Sequence, residues 1–139
     1  MRIYLNFDGV LHCIPSTKGP FEHLPVFEAV LRTHRKVEVI ISSSYRELLP
    51  IEVIRTFFSS DTQNQIVGIT PVLPGRKRID EIRAHVKATS YRQRFIVLDD
   101  APVEFPRHYR PLILCQTGRG LGERELTELL NRLAKKSDE

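Results

Sequence analysis

The sequence predicts an α/β fold in which a mostly parallel sheet is flanked by helices. Several short apolar segments rich in β-branched residues have the length and composition of buried strands. Between them lie longer segments whose apolar residues recur at helical spacing. Strands that alternate with helices in this way favour parallel pairing through right-handed crossovers.

The elements follow one another without an internal repeat or a low-complexity tract. The first strand lies within Ile3–Leu11, where apolar residues give way to a polar turn. Prolines and glycines mark the breaks, and Pro50 interrupts the second helical segment. The later predicted strands are 37–41, 66–70 at an edge, 95–98 and 112–115, and the predicted helices are 24–34, 45–58, 76–87 and 123–135.

Composition indicates an ordinary globular domain. The chain has 139 residues, of which 41% are hydrophobic and 27% are charged, enough for one domain with a sizeable core. We therefore expect a single domain over residues 1–139. No apolar run approaches the roughly 20 residues that span a bilayer, and no signal-peptide pattern is present, so we expect a cytoplasmic protein without a membrane partner. Cys13 and Cys115 are expected to be free thiols, and a net charge of +4 weakly favours anionic partners.

Polar residues follow the first strand directly. Asn6 and Asp8 are two positions apart, so an extended chain places their side chains on the same side. Gly9 permits a sharp turn there. Ligands bind at the carboxyl ends of strands in open parallel sheets, and this turn is therefore the first candidate for a site.

Two other strands also end in polar residues. Ser42 and Ser43 follow the second strand, where hydroxyls and backbone N–H groups can bind phosphate oxygens or cap the next helix. Asp99 and Asp100 follow the fourth strand and would repel each other without a cation nearby. The predicted third helix begins with Arg76–Arg78, cations that oppose the helix dipole unless an anion lies there. A solvated charged face is the alternative interpretation of this cluster.

These motifs resemble those of the haloacid dehalogenase-like (HAD) phosphohydrolases. Asn6–Leu11 is similar to the first motif, Asp-x-Asp-Gly-Val-Leu, with Asn6 in place of the first Asp. Ser42–Arg46 and Arg78–Ile82, followed by Asp99-Asp100, resemble the small HAD domains of RNA-repair proteins. The resemblance covers nearly the whole chain and implies a three-layer, Rossmann-like parallel sheet without a large cap domain.

The resemblance also implies a mechanism. An aspartate at position 6 would attack phosphorus and form an aspartyl-phosphate, while Asp8 acts as general acid and base. Residue 6, Asp8 and Asp100 would bind Mg²⁺, and Asp99 would ligate or support the ion. The phosphate ligands would be Ser42, Ser43 and a cation, either Arg78 or Lys77. Open sites in this superfamily serve large substrates, so a phosphorylated RNA or DNA end is the substrate we expect.

Asn6 is the departure that decides activity. An amide is a very poor nucleophile, so we expect this chain to be inactive or nearly so as a phosphatase. Either it is a natural, catalytically silent relative that still binds a phosphorylated ligand, or Asn6 is an engineered replacement of aspartate. A non-catalytic domain for phosphate, nucleic-acid or protein binding on the same scaffold is the alternative function.

Other phosphate-handling folds match less well. A phosphoacceptor receiver domain has its acid pair early in the chain, whereas Asp99-Asp100 comes late. Neither cysteine is followed by an arginine at the spacing that a cysteine phosphatase needs. Gly118, Gly120 and Gly122 lack the context of a nucleotide-binding loop, and we interpret them as a turn into the last helix.

Overall fold

A computed structural model describes residues 1–12 and 21–135. Their strands form one five-stranded sheet in which every pairing is parallel, with the order β3-β2-β1-β4-β5. The strands are β1 (Arg2–Leu5), β2 (Glu38–Ile41), β3 (Ile66–Ile69), β4 (Phe95–Asp99) and β5 (Leu112–Leu114).

The central strand β1 sets the register of the sheet. Leu5 pairs with Ile41 on β2 and with Leu98 on β4, so the three strands end level with one another. We call this end the carboxyl edge of the sheet and the opposite end, where Arg2 pairs with Glu38 and Phe95, the amino edge. Residues that follow the three strands are therefore neighbours in space.

Helices cover both faces because the strands alternate their side chains between two cores. One core contains Ile3 and Leu5 of β1 packed with apolar residues of α1, α3 and α5. The other contains Tyr4, Ile40 and Val97 packed against α4. The helices are α1 (Leu24–Thr33), α2 (Tyr45–Leu48), α3 (Ile51–Arg55), α4 (Arg78–Ala88) and α5 (Glu123–Ala134).

This architecture confirms the predicted fold class: a parallel sheet between two helical layers. The predicted break at Pro50 is also present, since α2 ends before it and α3 begins after it. Prolines exclude an α-helix after β4, but Pro102–Glu104 form one 3₁₀ turn. Cys13 belongs to residues 13–20, which lie outside the described part of the chain.

The start of α4 differs from the prediction. The helix begins at Arg78, and Arg76 and Lys77 precede it. The Asp80 carboxylate accepts a hydrogen bond from the Lys77 N–H at 3.2 Å, which fixes the start of the helix at this point. Asp80 and Glu81 lie in its first turn, where carboxylates stabilise the dipole.

Within the described residues, no helix is long and apolar enough to cross a membrane.

Candidate functional site

The tip of β1 brings three of the predicted site residues together. The Asn6 side chain is buried, and its Nδ2 donates to the main-chain carbonyl of Asp8 at 2.8 Å. The same nitrogen lies 3.3 Å from Asp100 Oδ1. One amide group therefore joins the end of β1 to the residue that follows β4.

Gly9 allows this close approach. Its φ of +71° lies in the left-handed region, and a Cβ built on it would overlap the Asp100 carboxylate. Thr117, in the loop after β5, donates from its hydroxyl to the other Asp100 oxygen at 2.8 Å. Asp100 is thus held over the turn and remains partly exposed.

Asp99 points the other way and is fully buried. Its two carboxylate oxygens each lie 2.8 Å from Arg78 Nη1, and one of them also accepts backbone N–H groups of Asp100 and Ala101. Burial raises the pKa of Asp99 to about 6, although the Arg78 guanidinium opposes the rise. Arg78 is the cation that pairs with Asp99, one of the two adjacent acids.

This contact corrects our interpretation of the basic cluster. We expected Arg76–Arg78 to oppose the helix dipole until an external anion bound. Instead, Arg78 pairs with Asp99 and Arg76 pairs with Asp80 at 3.3 Å. The protein's own carboxylates therefore offset these charges, so the cluster by itself is not evidence for an anionic ligand.

A second buried ion pair joins α2 to α4. Arg46 Nη2 lies 2.7 Å from Glu81 Oε1, and its guanidinium also donates to the carbonyls of Ser43, Thr70 and Pro71. Arg46 belongs to the Ser-rich motif and Glu81 to the motif that begins at Arg78. These two charged residues therefore have a structural role. They pair with each other and do not contact the residues at the tip of β1.

The two serines after β2 differ in their contacts. Ser42 continues the β2–β1 pairing, since its N–H donates to the Leu5 carbonyl at 2.9 Å. Its hydroxyl is buried and has no hydrogen-bond partner among the described residues. The Ser43 hydroxyl accepts the Tyr45 N–H at 3.3 Å and so also serves the turn into α2. Of the two, Ser42 has the hydroxyl with an unmet hydrogen-bonding requirement.

His12 contacts Asp8, a partner that the sequence analysis did not predict. His12 is buried, and its Nε2 lies 2.7 Å from Asp8 Oδ1. The Phe21 N–H donates to His12 Nδ1 at 3.3 Å, which assigns the proton of the neutral imidazole to Nε2. His12 then donates to the Asp8 carboxylate and fixes its orientation.

Aromatic rings hold this pair in place. Phe21 adopts a φ of +57°, a strained conformation for a residue with a side chain. Its ring packs edge-on against Phe7 at 5.6 Å and against His12 at 5.1 Å. These contacts position the Phe21 N–H that orients the imidazole.

Within residues 1–12 and 21–135, no group of three or more His, Cys, Asp or Glu side chains is placed to hold a metal ion. At the tip of β1 the predicted ligand set retains two acids, Asp8 and Asp100, because residue 6 is an asparagine and Asp99 is paired with Arg78. Cys115 is buried nearby, after β5, and burial raises the pKa of its thiol to about 12, so it is an unreactive core residue.

A comparison with known protein families agrees with this arrangement. The model of the HAD domain in Swiss Army Knife RNA repair proteins matches residues 2–126. The chain belongs to this family of HAD domains. No curated protein and no solved structure matches it. The resemblance inferred from Asn6–Leu11 and the later motifs is thereby confirmed, and the chain is a HAD-type phosphatase scaffold.

The sequence located the HAD motifs but not all of their contacts. Asn6, Asp8 and Asp100 are brought together, and Ser42 follows the neighbouring strand β2 at the same edge. Asp99 and Arg78 are directed at each other, and Lys77 is exposed before α4. His12 and Thr117 were missed. The one available signal for His12 was its position four residues after Asp8, which a turn at Gly9 brings back to the carboxylate.

Proposed function

We propose that this HAD domain binds the terminal phosphate of an RNA or DNA strand at the carboxyl edge of its sheet and does not hydrolyse it. The supporting observation is the convergence of Asn6, Asp8 and Asp100 around the tip of β1. A phosphatase of this kind would carry a carboxylate at position 6. The Asn6 amide lacks a nucleophilic oxygen, so no aspartyl-phosphate forms.

The phosphate would be held by Ser42 and Arg78. The buried Ser42 hydroxyl has no partner among the described residues and can donate to a phosphoryl oxygen. Asp99 occupies Nη1 of Arg78, and no hydrogen bond joins Nε or Nη2 to the described part of the chain. Asp99 would hold the Arg78 guanidinium beside the end of β4, and exposed Lys77 is the other candidate cation.

A divalent ion is implied by the family, and the donor set fits Mg²⁺ in kind. Asn6 Oδ1, the Asp8 carbonyl and the Asp100 carboxylate are hard oxygen ligands, but Asp100 supplies the single negative charge among them. Such an ion would neutralise charge on the phosphoryl oxygens. In this chain Asn6 Nδ2 already donates to the Asp8 carbonyl and to the Asp100 carboxylate. The side-chain amide must therefore rotate before all three oxygens can bind an ion. We therefore expect weak affinity for Mg²⁺.

Proton transfer would fall to Asp8. His12 Nε2–H holds one oxygen of its carboxylate at 2.7 Å. The side chain of Asp8 is 47% exposed, so the other oxygen can reach a ligand. In an active variant this oxygen would protonate the leaving group and then accept a proton from water.

An open site supports a large substrate. Within residues 1–12 and 21–135, the connections of the sheet carry no separate cap domain. The family's description as HAD domains of RNA repair proteins supports nucleic-acid ends in particular.

The test is to restore the nucleophile. We expect Asn6→Asp to release inorganic phosphate from an oligonucleotide with a 3′- or 5′-terminal phosphate, in a reaction that needs Mg²⁺. The unmodified chain should bind the same end without hydrolysing it, and Asn6→Ala should also be inactive. The double variant Asn6→Asp/Asp8→Asn should lose most of the restored activity, by about 10²–10⁴-fold.

Two results would contradict this proposal. One is rapid hydrolysis by the unmodified chain, because Asn6 would then not be the cause of inactivity. The other is an unmodified chain that binds a strand with a terminal phosphate no more tightly than the same strand with hydroxyl ends, because the carboxyl edge would then not be a phosphate site.

A further inference from the structure

We infer that the amino edge of the sheet, opposite the candidate site, is a second binding surface that holds single-stranded nucleic acid along its backbone. The two edges are separated by the length of the strands, about 15 Å. A strand bound here would not need a terminal phosphate. The inference therefore does not depend on the function proposed for the carboxyl edge.

Three adjoining clefts form this surface. The largest has a volume of about 690 Å³ and lies where β4 and β5 begin. A cleft of about 190 Å³ shares Arg94 and Lys135 with it, and a third of about 310 Å³ shares Leu133 with the second. Met1 lines all three, so together they form a continuous band across the edge of the sheet.

The charged residues that line the three clefts in the described part of the chain are arginines and lysines. No aspartate or glutamate is among the described residues that line the three clefts. Six cations line them: Arg35, Lys36, Arg94, Arg110, Arg132 and Lys135. We call these six residues the basic band.

Part of this charge has no counter-ion among residues 1–12 and 21–135. Arg35 pairs with Asp61 and Arg132 pairs with Glu128. Lys36, Arg110 and Lys135 are exposed and form no ion pair within residues 1–12 and 21–135. A row of cations without acids attracts a polyanion and releases its counter-ions on binding.

Aromatic rings in the same cleft favour a nucleic acid over other polyanions. Tyr109 and Phe95 line the largest cleft together with its cations. The Tyr109 ring stacks on Phe105 with an interplanar angle of 18°, which holds it rigid. Cations that follow a backbone, interleaved with rigid rings on which bases stack, are the common features of single-strand binding surfaces. A recessed cleft also fits a strand better than the flat plane of a membrane.

The test compares two triple variants that remove the same charge. Lys36→Gln/Arg110→Gln/Lys135→Gln neutralises the exposed, unpaired part of the basic band. Arg83→Gln/Lys87→Gln/Arg124→Gln is the matched control, since these residues are exposed and line none of the three clefts. Far-ultraviolet circular dichroism and thermal melting establish that both variants are folded.

The probe is a fluorescent oligouridylate of about 12 nucleotides with hydroxyl ends, followed by fluorescence anisotropy without added metal. We expect the band variant to raise Kd about tenfold or more at about 50 mM salt. It should also reduce the slope of log affinity against log salt by about 2, while the control stays close to the unmodified chain.

Three outcomes would overturn the inference. The first is unchanged affinity in the folded band variant. The second is an equal loss in the control, which would mean that overall charge alone attracts the strand. The third is competition by inorganic polyphosphate that is as effective, charge for charge, as competition by unlabelled oligouridylate, because bases would then contribute nothing.

Discussion

The two edges of the sheet differ in how their charged side chains are paired within the chain. At the carboxyl edge, each of the acids has a partner in the chain: Asp8 binds His12, Asp99 binds Arg78, and Asp100 binds Asn6 and Thr117. At the amino edge, Lys36, Arg110 and Lys135 form no ion pair among the described residues. Charges that are paired within the chain hold the side chains of a catalytic site in a fixed geometry. Charges without a partner remain able to attract a ligand.

The comparison is most strongly tested by removing one arginine from each edge. Arg78→Gln leaves the buried Asp99 carboxylate without its cation, and we expect the free energy of unfolding to fall by about 3 kcal/mol. Protonation of Asp99 limits the loss. Arg110→Gln, the same substitution at an exposed and unpaired position, should leave stability unchanged. Urea unfolding at neutral pH measures both, and equal effects would show that the two edges do not differ in this respect.

The pH dependence of stability distinguishes the buried carboxylate from all others. Burial raises the pKa of Asp99 to about 6 in the folded state, from an ordinary value of 3.8. Between these values the folded state binds more protons than the unfolded chain, so this group makes the protein more stable as pH falls from 7 to 4, by at most about 3 kcal/mol.

His85 acts in the opposite direction, because burial lowers the pKa of its imidazole from 6.5. The useful quantity is therefore the difference between the unmodified chain and Asp99→Asn, in which the contribution of His85 cancels. We expect this difference to grow as pH falls through 6 when both are followed by urea unfolding. A flat difference would show that Asp99 is not a buried carboxylate of raised pKa.

A smaller effect is expected from Asn6→Asp without metal. The change removes the two hydrogen bonds of Nδ2 and places a carboxylate beside the Asp8 carbonyl and Asp100. We expect it to lower the free energy of unfolding by about 1–2 kcal/mol in the presence of EDTA, and Mg²⁺ should reverse the loss. Stability that does not respond to Mg²⁺ would argue against an ion site at the tip of β1.

The smallest effect belongs to the amino edge. Neutralising Lys36, Arg110 and Lys135 together removes repulsion between like charges, so stability should rise by at most about 0.5 kcal/mol at low salt. The gain should vanish at high salt, where exposed charges are screened. Thermal melting at two salt concentrations checks this, and a clear loss of stability would mean that these cations have partners after all.

The sequence was sufficient for the fold and for the residues at the tip of β1. Periodicity and the break at Pro50 predicted the strands and helices, because these patterns depend on local spacing. Asn6 and Asp8 could be placed together because they share one strand. Asp100 could be added because parallel strands end at the same edge.

The remaining contacts depend on which way a side chain turns, and periodicity carries no such information. Asp99 and Asp100 are adjacent and chemically identical, yet one is buried against α4 and the other faces the turn at Gly9. Arg78 was expected to need an external anion, but a carboxylate of the protein occupies its Nη1. The basic band was not visible in the sequence, since Lys36, Arg110 and Lys135 come from three distant segments that meet only in the folded sheet.

The most direct measurement of the central claim is a calorimetric titration with Mg²⁺ of the unmodified chain, Asn6→Asp and Asn6→Asp/Asp100→Asn. We predict no saturable binding at millimolar concentration by the unmodified chain, clear binding by Asn6→Asp, and loss of that binding when Asp100 is also changed. Equal binding by all three proteins would contradict the claim that residue 6 and Asp100 form one site that Asn6 disables.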